Sequence, residues 1–358
     1  MNIQLTRQGI CFLLFLNVSF SCEKDEPKPV IDEPVPGLHI DPPYNIARTS
    51  AIFKGNILSA DIDSVLEDGF CWGTGPSPTL TDQHEVTNHR DRDNNLMLYN
   101  NRLLPGIKYF ARVYVTTEKD TLYGDTVSFS TKSPTISTHF NEDLTYDTVS
   151  DIDENIYKTI QIGSQVWMAE NLKTTHFNDG TSIPLVEDSY TWTRLKSPGY
   201  CWFENDEAVF KDMYGGYYNW YTVNTGQLCP AGWHVPAEED WKELKMSLGM
   251  SEEHADLEYG LEVTIVGDMI KETGTYNWVE ESTLATNESG FTALPGGERM
   301  VGPADFLWEG TEACWWSATQ YFSTNAWSHG AVNSFAGMYR SSMYNQAYGL
   351  NVRCVKDK

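Results

Sequence analysis

Residues 229–244 have the sequence CPAGWHVPAEEDWKEL. Pro236 is followed by Ala237 and then by three acidic residues, a pattern typical of a first helical turn, where proline fits and negative charge complements the helix dipole. Trp241, Leu244 and Leu248 recur at helical spacing, so we expect them to face a hydrophobic core. This stretch therefore predicts a core-facing helix that begins a few residues after a cysteine.

A hairpin is predicted upstream of this helix. Residues 156–168 have the sequence IYKTIQIGSQVWM, in which residues 156–162 form two alternating sets of side chains and Gly163 and Ser164 follow. Alternation with a period of two is the pattern of a strand, and the Gly-Ser pair is typical of a tight turn. We therefore expect two antiparallel strands here.

The residues just before the hairpin start like a calcium-binding loop, with Asp151, Asp153 and Asn155 at alternate positions. Such a loop needs glycine at its sixth position and glutamate at its twelfth, where this chain has Ile156 and Ile162. The sequence therefore predicts a simple turn and no calcium site.

These segments belong to a longer series of motifs. In chain order the series is QVWMAENL (165–172), FNDGTSIP (177–184), GYCWFEND (199–206), YGGYYNWY (214–221), CPAGWHVP (229–236), EDWKEL (239–244), GFTALPGGER (290–299), WSAT (316–319) and VRCV (352–355). The series resembles the Fibrobacter succinogenes major paralogous domain, and we assign residues 148–358 to it. The resemblance implies a loop-rich α+β domain of C-type lectin-like fold, found in bacterial surface and secreted proteins and without established enzymatic activity.

The same resemblance implies a disulfide between Cys229 and Cys354, because lectin-like folds bring the terminal strands together beside the first helix. It would close a loop of about 125 residues, worth about 4–5 kcal/mol in the chain-entropy model. Cys201 and Cys314 are an alternative second pair. Cys71 is expected to be a buried thiol, and the spacing of the cysteines is not that of a zinc site, so no metal is expected.

Short alternating segments separated by turns fill residues 38–132, including 51–57, 67–73 and 108–116. About seven such strands are typical of a β-sandwich. The end of this segment also resembles the fibronectin type III-like repeats of Bacteroidetes surface proteins. The fold class is therefore mainly β followed by α+β, with residues 133–147 as a linker and the sandwich as a spacer and support.

The N-terminus has the features of an export signal. Residues 1–21 contain a short apolar run that fits a signal peptide and is too short to span a bilayer. Cys22 follows and resembles the lipidated cysteine of bacterial lipoproteins. The acidic, proline-rich residues 22–37 would then form a disordered tether. We therefore expect a lipid-anchored protein on the outer face of the outer membrane.

The composition limits the partners. The chain has 358 residues, 41% of them hydrophobic, which is enough for real cores and excludes wholesale disorder. Its formal net charge of −25 repels phosphate backbones and anionic membrane surfaces. We therefore expect no nucleic-acid partner, and membrane contact through the N-terminal lipid only.

No familiar catalytic or cofactor-binding motif is present, so neither enzymatic activity nor a cofactor is expected. His234 is expected to be a hydrogen-bonded core histidine. The leading hypothesis is a non-catalytic binding or adhesion module for a glycan or protein ligand at the cell surface. Its contacts would come from long loops at residues 190–224 and 296–341. The proposed sugar-stacking platforms are tryptophans for which core packing is the competing interpretation: Trp192, Trp202, Trp308, Trp315 and Trp327.

Two other hypotheses remain open. The protein is a structural subunit of a cell-surface or fimbria-like assembly, or it is an enzyme on a scaffold like that of formylglycine-generating proteins, with Cys314 as the reactive residue. A glycosidase would place two carboxylates on facing elements, which a single sequence does not reveal.

Overall fold

The computed structural model describes residues 37–58, 65–87, 89, 91–93, 95–133, 137–258, 264–279, 284–302 and 306–358. The predicted signal peptide, Cys22 and the predicted tether up to residue 36 lie outside the described residues. None of the described helices has the length and apolar composition that crossing a membrane requires.

The first region consists of two antiparallel sheets. Its strands are β1 (Leu38–Ile40), β2 (Ala51–Ile57), β3 (Glu67–Gly73), β4 (Gln83–Val86), β5 (Leu96–Asn100), β6 (Lys108–Thr116), β7 (Thr121–Tyr123) and β8 (Val127–Ser130). One sheet has the order β1-β2-β5, and the other has the order β4-β3-β6-β7 with β8 also paired to β6. The three strands predicted at residues 51–57, 67–73 and 108–116 are confirmed.

The two sheets share one hydrophobic core, to which both contribute alternate residues. Phe53 lies at its centre, with its ring 5.6–5.9 Å from the rings of Phe70, Trp72 and Phe129. Cys71 is a buried thiol, as predicted. The alternation of the sequence therefore accounts for the side chains that the two sheets direct into this shared core.

The second region is also mainly β, with short helices between its strands. Its strands are β9 (Asp147–Ser150), β10 (Ile156–Ile162), β11 (Gln165–Met168), β12 (Tyr200–Cys201), β13 (Tyr217–Tyr218), β14 (Trp233–His234), β15 (Glu298–Arg299), β16 (Phe306–Leu307), β17 (Glu312–Phe322), β18 (Asn325–Val332), β19 (Met338–Ser341) and β20 (Val355–Lys356). Its helices are α1 (Ser189–Arg194), α2 (Glu207–Tyr214), α3 (Trp220–Val223), α4 (Glu238–Ser247), α5 (Glu252–Ala255) and α6 (Val266–Ile270), with a 3-10 turn at Phe203–Asn205.

A sheet of order β14-β20-β11-β10-β9 lies in the middle of this region. The predicted hairpin is confirmed, with Ile162 paired to Gln165 across its turn. Both faces of the sheet are buried, because Trp167 and the next residue, Met168, belong to different hydrophobic clusters. Helix α4 covers one face with Trp241 and Leu244, both fully buried, as their spacing predicted.

The predicted disulfide is confirmed. Cys229 and Cys354 are bonded, with their Cα atoms 6.0 Å apart and 125 positions apart in sequence. Each cysteine lies just before a strand, and those strands, β14 and β20, pair with each other. The bond therefore closes the C-terminal part of the second region, from just before β14 to β20, into one loop. Cys201 and Cys314 are buried thiols that are not bonded to each other, so the suggested second bridge does not form.

The side chain of Arg353 joins three of the sequence motifs. It is fully buried and donates to Asn171 Oδ1 at 2.7 Å, to the Met168 carbonyl at 3.2 Å and to the Thr292 carbonyl at 2.9 Å, and also to the Phe291 carbonyl. Burial lowers the pKa of Arg353 to about 9. Since no acid accepts these bonds, backbone and amide oxygens take over the role of water around the guanidinium group.

A buried ion pair connects the two regions. Arg48 of the first region lies 3.3 Å from Glu309 of the second, and their side chains are 3% and 1% exposed. Glu309 also accepts the hydroxyl of Tyr214 at 2.6 Å, and Arg48 donates to Asn277 Oδ1 at 2.6 Å. The first region is therefore fixed to the second by a desolvated contact and is not a freely hinged spacer.

The segment predicted as a linker is packed where it is described. Phe140, Leu144 and Tyr146 lie against the core below the central sheet. The His139 amide donates to Glu272, and its ring stacks on Tyr276 at 3.9 Å. Residues 137–147 thus bind to the surface of the second region.

Candidate functional site

A cavity of about 680 Å³ opens beside the sheet formed by β17, β18 and β19. Aromatic and apolar side chains provide most of its wall, and two carboxylates face it. The lining residues are Glu298, Glu312, Val332, Ser334, Phe335, Tyr339, Ser341, Met343, Tyr344 and Tyr348. This size and composition are those of a small-molecule site, which is mostly apolar with a few placed polar groups.

Glu312 is held in the cavity by tyrosine hydroxyls. The hydroxyl of Tyr339 donates to Glu312 Oε1, and that of Tyr344 lies 3.4 Å from the same atom. Tyr339 reaches Glu312 from β19 across the intervening strand, where Gly330 is its direct partner. A Cβ on Gly330 would lie 2.3 Å from the Tyr339 ring, so only glycine leaves room for this crossing.

Glu298 is the second carboxylate, and it is 5% exposed. Its Oε2 atom is buried with no hydrogen-bond partner among the described residues. Burial, together with the nearby Glu312 carboxylate, raises the pKa of Glu298 to about 8. Burial also raises the pKa of Glu312. The cavity thus holds two acids that disfavour each other's ionisation.

Cys314 lies next to this pair on β17. Burial and the two carboxylates raise the pKa of its thiol well above the usual value. The thiolate is the reactive form of cysteine, and these surroundings suppress it. The geometry therefore gives Cys314 the role of a packed core residue beside the cavity.

The described residues contain no group of three or more His, Cys, Asp or Glu side chains arranged to hold a metal ion. At the loop that starts like a calcium site, Asp151 accepts the amides of Asp153 and Asn155, each at 2.9 Å, and the hydroxyl of Tyr157 at 2.5 Å. These bonds close a turn, as the sequence predicted.

Three of the five proposed tryptophan platforms are wrong. Trp192, Trp202 and Trp315 are at most 1% exposed and lie in hydrophobic cores. Trp192 is covered by the guanidinium group of Arg299 at 4.3 Å, and Trp315 donates its ring N–H to Asn171 at 2.9 Å. A ring with both faces covered offers no surface to a sugar.

Trp308 and Trp327 are the two that reach the surface. Trp308 is 39% exposed, but its ring lies 5.1 Å from that of Tyr99 in the contact between the two regions. Trp327 is half-buried, with Arg340 over one face at 3.6 Å. Neither lines the cavity.

The segments expected to be long loops are largely regular structure. Residues 190–224 contain most of α1 and all of α2, α3, β12 and β13, and residues 296–341 contain β15 to β19. Many of their aromatic residues are buried because these elements supply core side chains. These two segments therefore contain less loop than the sequence predicted.

His234 is hydrogen-bonded as predicted but does not lie in the core. Its side chain is 42% exposed, and its ring nitrogens lie 2.7 Å from Asp357 and 3.1 Å from Asp240. The prediction of a core position is wrong because β14 is the edge strand of its sheet.

Glu298 and Glu312 were not singled out from the sequence. Each has a local signal, since Glu298 follows Pro-Gly-Gly in a motif and Glu312 opens the apolar run ACWW. A charged residue at the start of a buried strand is unusual enough to merit attention. Their meeting in one cavity, however, depends on strands far apart in sequence.

These features define a class: a β-rich domain closed by a long-range disulfide, with an acidic, aromatic-lined cavity beside one sheet. The chain belongs to the Fibrobacter succinogenes major domain family, whose model matches residues 160–356. A comparison with curated proteins gives no match.

Solved structures similar to parts of the chain include the sensor domain of the anti-sigma factor RsgI4 of Pseudobacteroides cellulosolvens. It is 18% identical, covers 28% of this chain and 79% of that one, and has a TM-score of 0.24. A shorter form of that sensor domain is 17% identical, covers 28% and 98%, and has a TM-score of 0.21. A fibronectin type III domain derived from the human KIAA0970 protein is 10% identical, covers 28% and 77%, and also has a TM-score of 0.21.

Proposed function

We propose that the protein is a non-catalytic binding module that takes a ligand into the cavity beside β17–β19. The observation that carries the proposal is Glu298, which lines a cavity of about 680 Å³ and whose buried Oε2 atom finds no hydrogen-bond partner in the described part of the chain. A buried acceptor left unpaired costs free energy, and a ligand donor would recover that cost. The apolar wall supplies contact area, and the carboxylates fix orientation.

The proposal includes the finer architecture expected from the sequence. The first region would be a fibronectin type III-like sandwich and the second a C-type lectin-like domain. Lipidation at Cys22 would hold both at the outer surface of the outer membrane, where a glycan or a protein is the available ligand. Cys22→Ala in the producing bacterium should release the protein from the membrane fraction, and continued membrane association would contradict the anchor.

The test of ligand binding uses the full chain on a glycan array and against a panel of small extracellular compounds and peptides. Ser334→Trp, which places a large ring in the cavity wall, should abolish capture of whatever ligand is found. The matched control is Ser323→Trp, at the exposed β17–β18 turn and away from the cavity. Absence of any ligand, or a ligand unaffected by Ser334→Trp, contradicts the proposal.

One observation supports assembly as a second function. The β17–β18 hairpin carries Tyr321 and Phe322, 41% and 63% exposed, with their rings in contact at 4.6 Å. Exposed aromatic residues next to each other are typical of protein contacts. Phe322→Ser should then reduce the recovery of specific partners from intact cells, while an unchanged set of partners would rule out this hairpin.

A further inference from the structure

We propose that the ligand of this cavity carries an organic ammonium group, which lies between the two carboxylates and the surrounding aromatic rings. This inference rests on the proposed function, since it specifies the chemistry of what the same cavity binds. Its two supports are the uncompensated carboxylates and the composition of the wall.

The charge argument starts from what faces the carboxylates. Among the described residues, no basic side chain forms an ion pair with Glu298 or Glu312. The neighbouring Arg299 is directed away and donates to the carbonyls of Val186 and Glu187, at 2.6 and 2.7 Å. A buried acid pair without a cation is unfavourable, so a ligand that brings a positive charge gains more here than elsewhere on the surface.

The other groups that face the pair do not supply that charge. Cys314, Tyr339 and Tyr344 adjoin the carboxylates, and burial raises the pKa of each well above its usual value, so all three are neutral at pH 7. The pKa of Tyr348 is also raised. Protonation of the acids therefore reduces the negative charge in the cavity. A bound cation would stabilise the ionised acids and so release the proton.

The wall favours an organic cation over a metal ion. Tyr344 and Tyr348 lie edge to face with their centroids 5.5 Å apart, and Phe335 and Met343 complete an apolar surface. Aromatic faces attract ammonium groups, most strongly when water is excluded. A hard metal ion would need more oxygen ligands than two carboxylates provide. The cavity is also larger than an ammonium group, so the ligand has an organic body.

The experiment compares a charged ligand with a neutral analogue of the same shape on the full chain. Choline is paired with 3,3-dimethylbutanol, by calorimetry at pH 8. Choline should bind at least about tenfold more tightly than its neutral analogue. Choline keeps its charge at every pH, so its affinity should rise between pH 6 and pH 8 as the acids ionise. Calorimetry in buffers of different ionisation enthalpy should show proton release.

The matched variants are Glu298→Gln and Ser323→Trp. Glu298→Gln keeps the size of the side chain, so it should reduce the preference for choline over its analogue to about threefold or less, while Ser323→Trp leaves the preference unchanged. Equal binding of both analogues, or a preference that survives Glu298→Gln, overturns the inference. If only neutral ligands bind, and Ser334→Trp removes them, the proposed function stands and the ammonium inference fails. If nothing binds, both fail.

Discussion

The two regions of this protein solve the problem of a stable interior in different ways. The first region fills its core with apolar residues from alternate positions of long strands, around Phe53. The second region combines several very short strands with the long β17 and β18, and it buries ionisable side chains such as Arg353, Glu298 and Lys271 among its apolar clusters. A regular hydrophobic pattern accounts for the core of the first region around Phe53, although Arg48 and Arg112 are also buried there, whereas the second region depends more on specific contacts between distant segments.

The largest effect that separates the two regions should come from the disulfide. Replacing both Cys229 and Cys354 by alanine should lower the free energy of unfolding of the second region by about 4–5 kcal/mol, because it frees a 125-residue loop in the unfolded chain. Cys71→Ala in the first region removes a buried thiol but no crosslink, and should cost only about 1 kcal/mol. Denaturant unfolding measures the change in unfolding free energy for both variants. Equal changes would contradict the difference between the two regions.

Arg353 should have the next largest effect. Arg353→Met removes the guanidinium donors from the Met168, Phe291 and Thr292 carbonyls and leaves Asn171 Oδ1 with Trp315 as its donor, which should cost about 4 kcal/mol in unfolding free energy. Arg102→Met is the control in the first region, since its side chain is 64% exposed and its ion pair with Glu85 is weak. That change should stay within about 0.5 kcal/mol. If Arg353→Met left the free energy of unfolding nearly unchanged, the motif residues would not be held together by this side chain.

The contrast also explains what the sequence could predict. The strands around Phe53 and the hairpin up to Met168 followed from alternation, and the helix with Trp241 followed from helical spacing. These are local patterns. Pairing of Cys229 with Cys354 came only from the family resemblance, since nothing near either cysteine specifies its partner.

The cavity could not be predicted for a related reason. Glu312 on β17 faces the cavity because Tyr339, two strands away on β19, reaches over Gly330 on the intervening strand β18. Glu298 comes from a separate short strand, β15. The error about Trp192 has the same origin, because Arg299, more than a hundred residues later, covers its ring. In both cases burial is decided by segments that are distant in sequence, and single-residue chemistry does not reveal them.

Variants at the contact between the two regions test whether the regions unfold as separate units or as one unit. Glu309→Gln removes a charge and leaves Arg48 buried without its acid, so it should cost about 3 kcal/mol. The double variant Arg48→Met/Glu309→Leu removes both charges and should be less destabilised than the single variant. Calorimetry should also show the two regions melting separately in Glu309→Gln. A change below about 0.5 kcal/mol would mean that the regions are joined only loosely.

The smallest expected effect concerns the pH dependence of stability, and it isolates the acids of the cavity. An acid whose pKa is raised on folding binds more protons in the folded state, so stability falls as pH rises from the unfolded to the folded pKa and then levels off. For Glu298 this window extends from 4.5 to about 8. For Glu272, another buried acid of the second region, burial raises the pKa only to about 7.

Between pH 7 and pH 8 the two acids therefore differ. The wild type should lose stability by about 1 kcal/mol over this interval, and Glu298→Gln should remove most of that loss. Glu272→Gln should remove a smaller part of the loss, about 0.4 kcal/mol, because Glu272 is already half ionised at pH 7 in the folded protein. His329, whose pKa burial lowers to about 4, contributes only below about pH 6.5, and with the opposite sign. If Glu298→Gln retained the full slope, the cavity would already be solvated, and the second region would lack the buried acid pair that distinguishes it from the first.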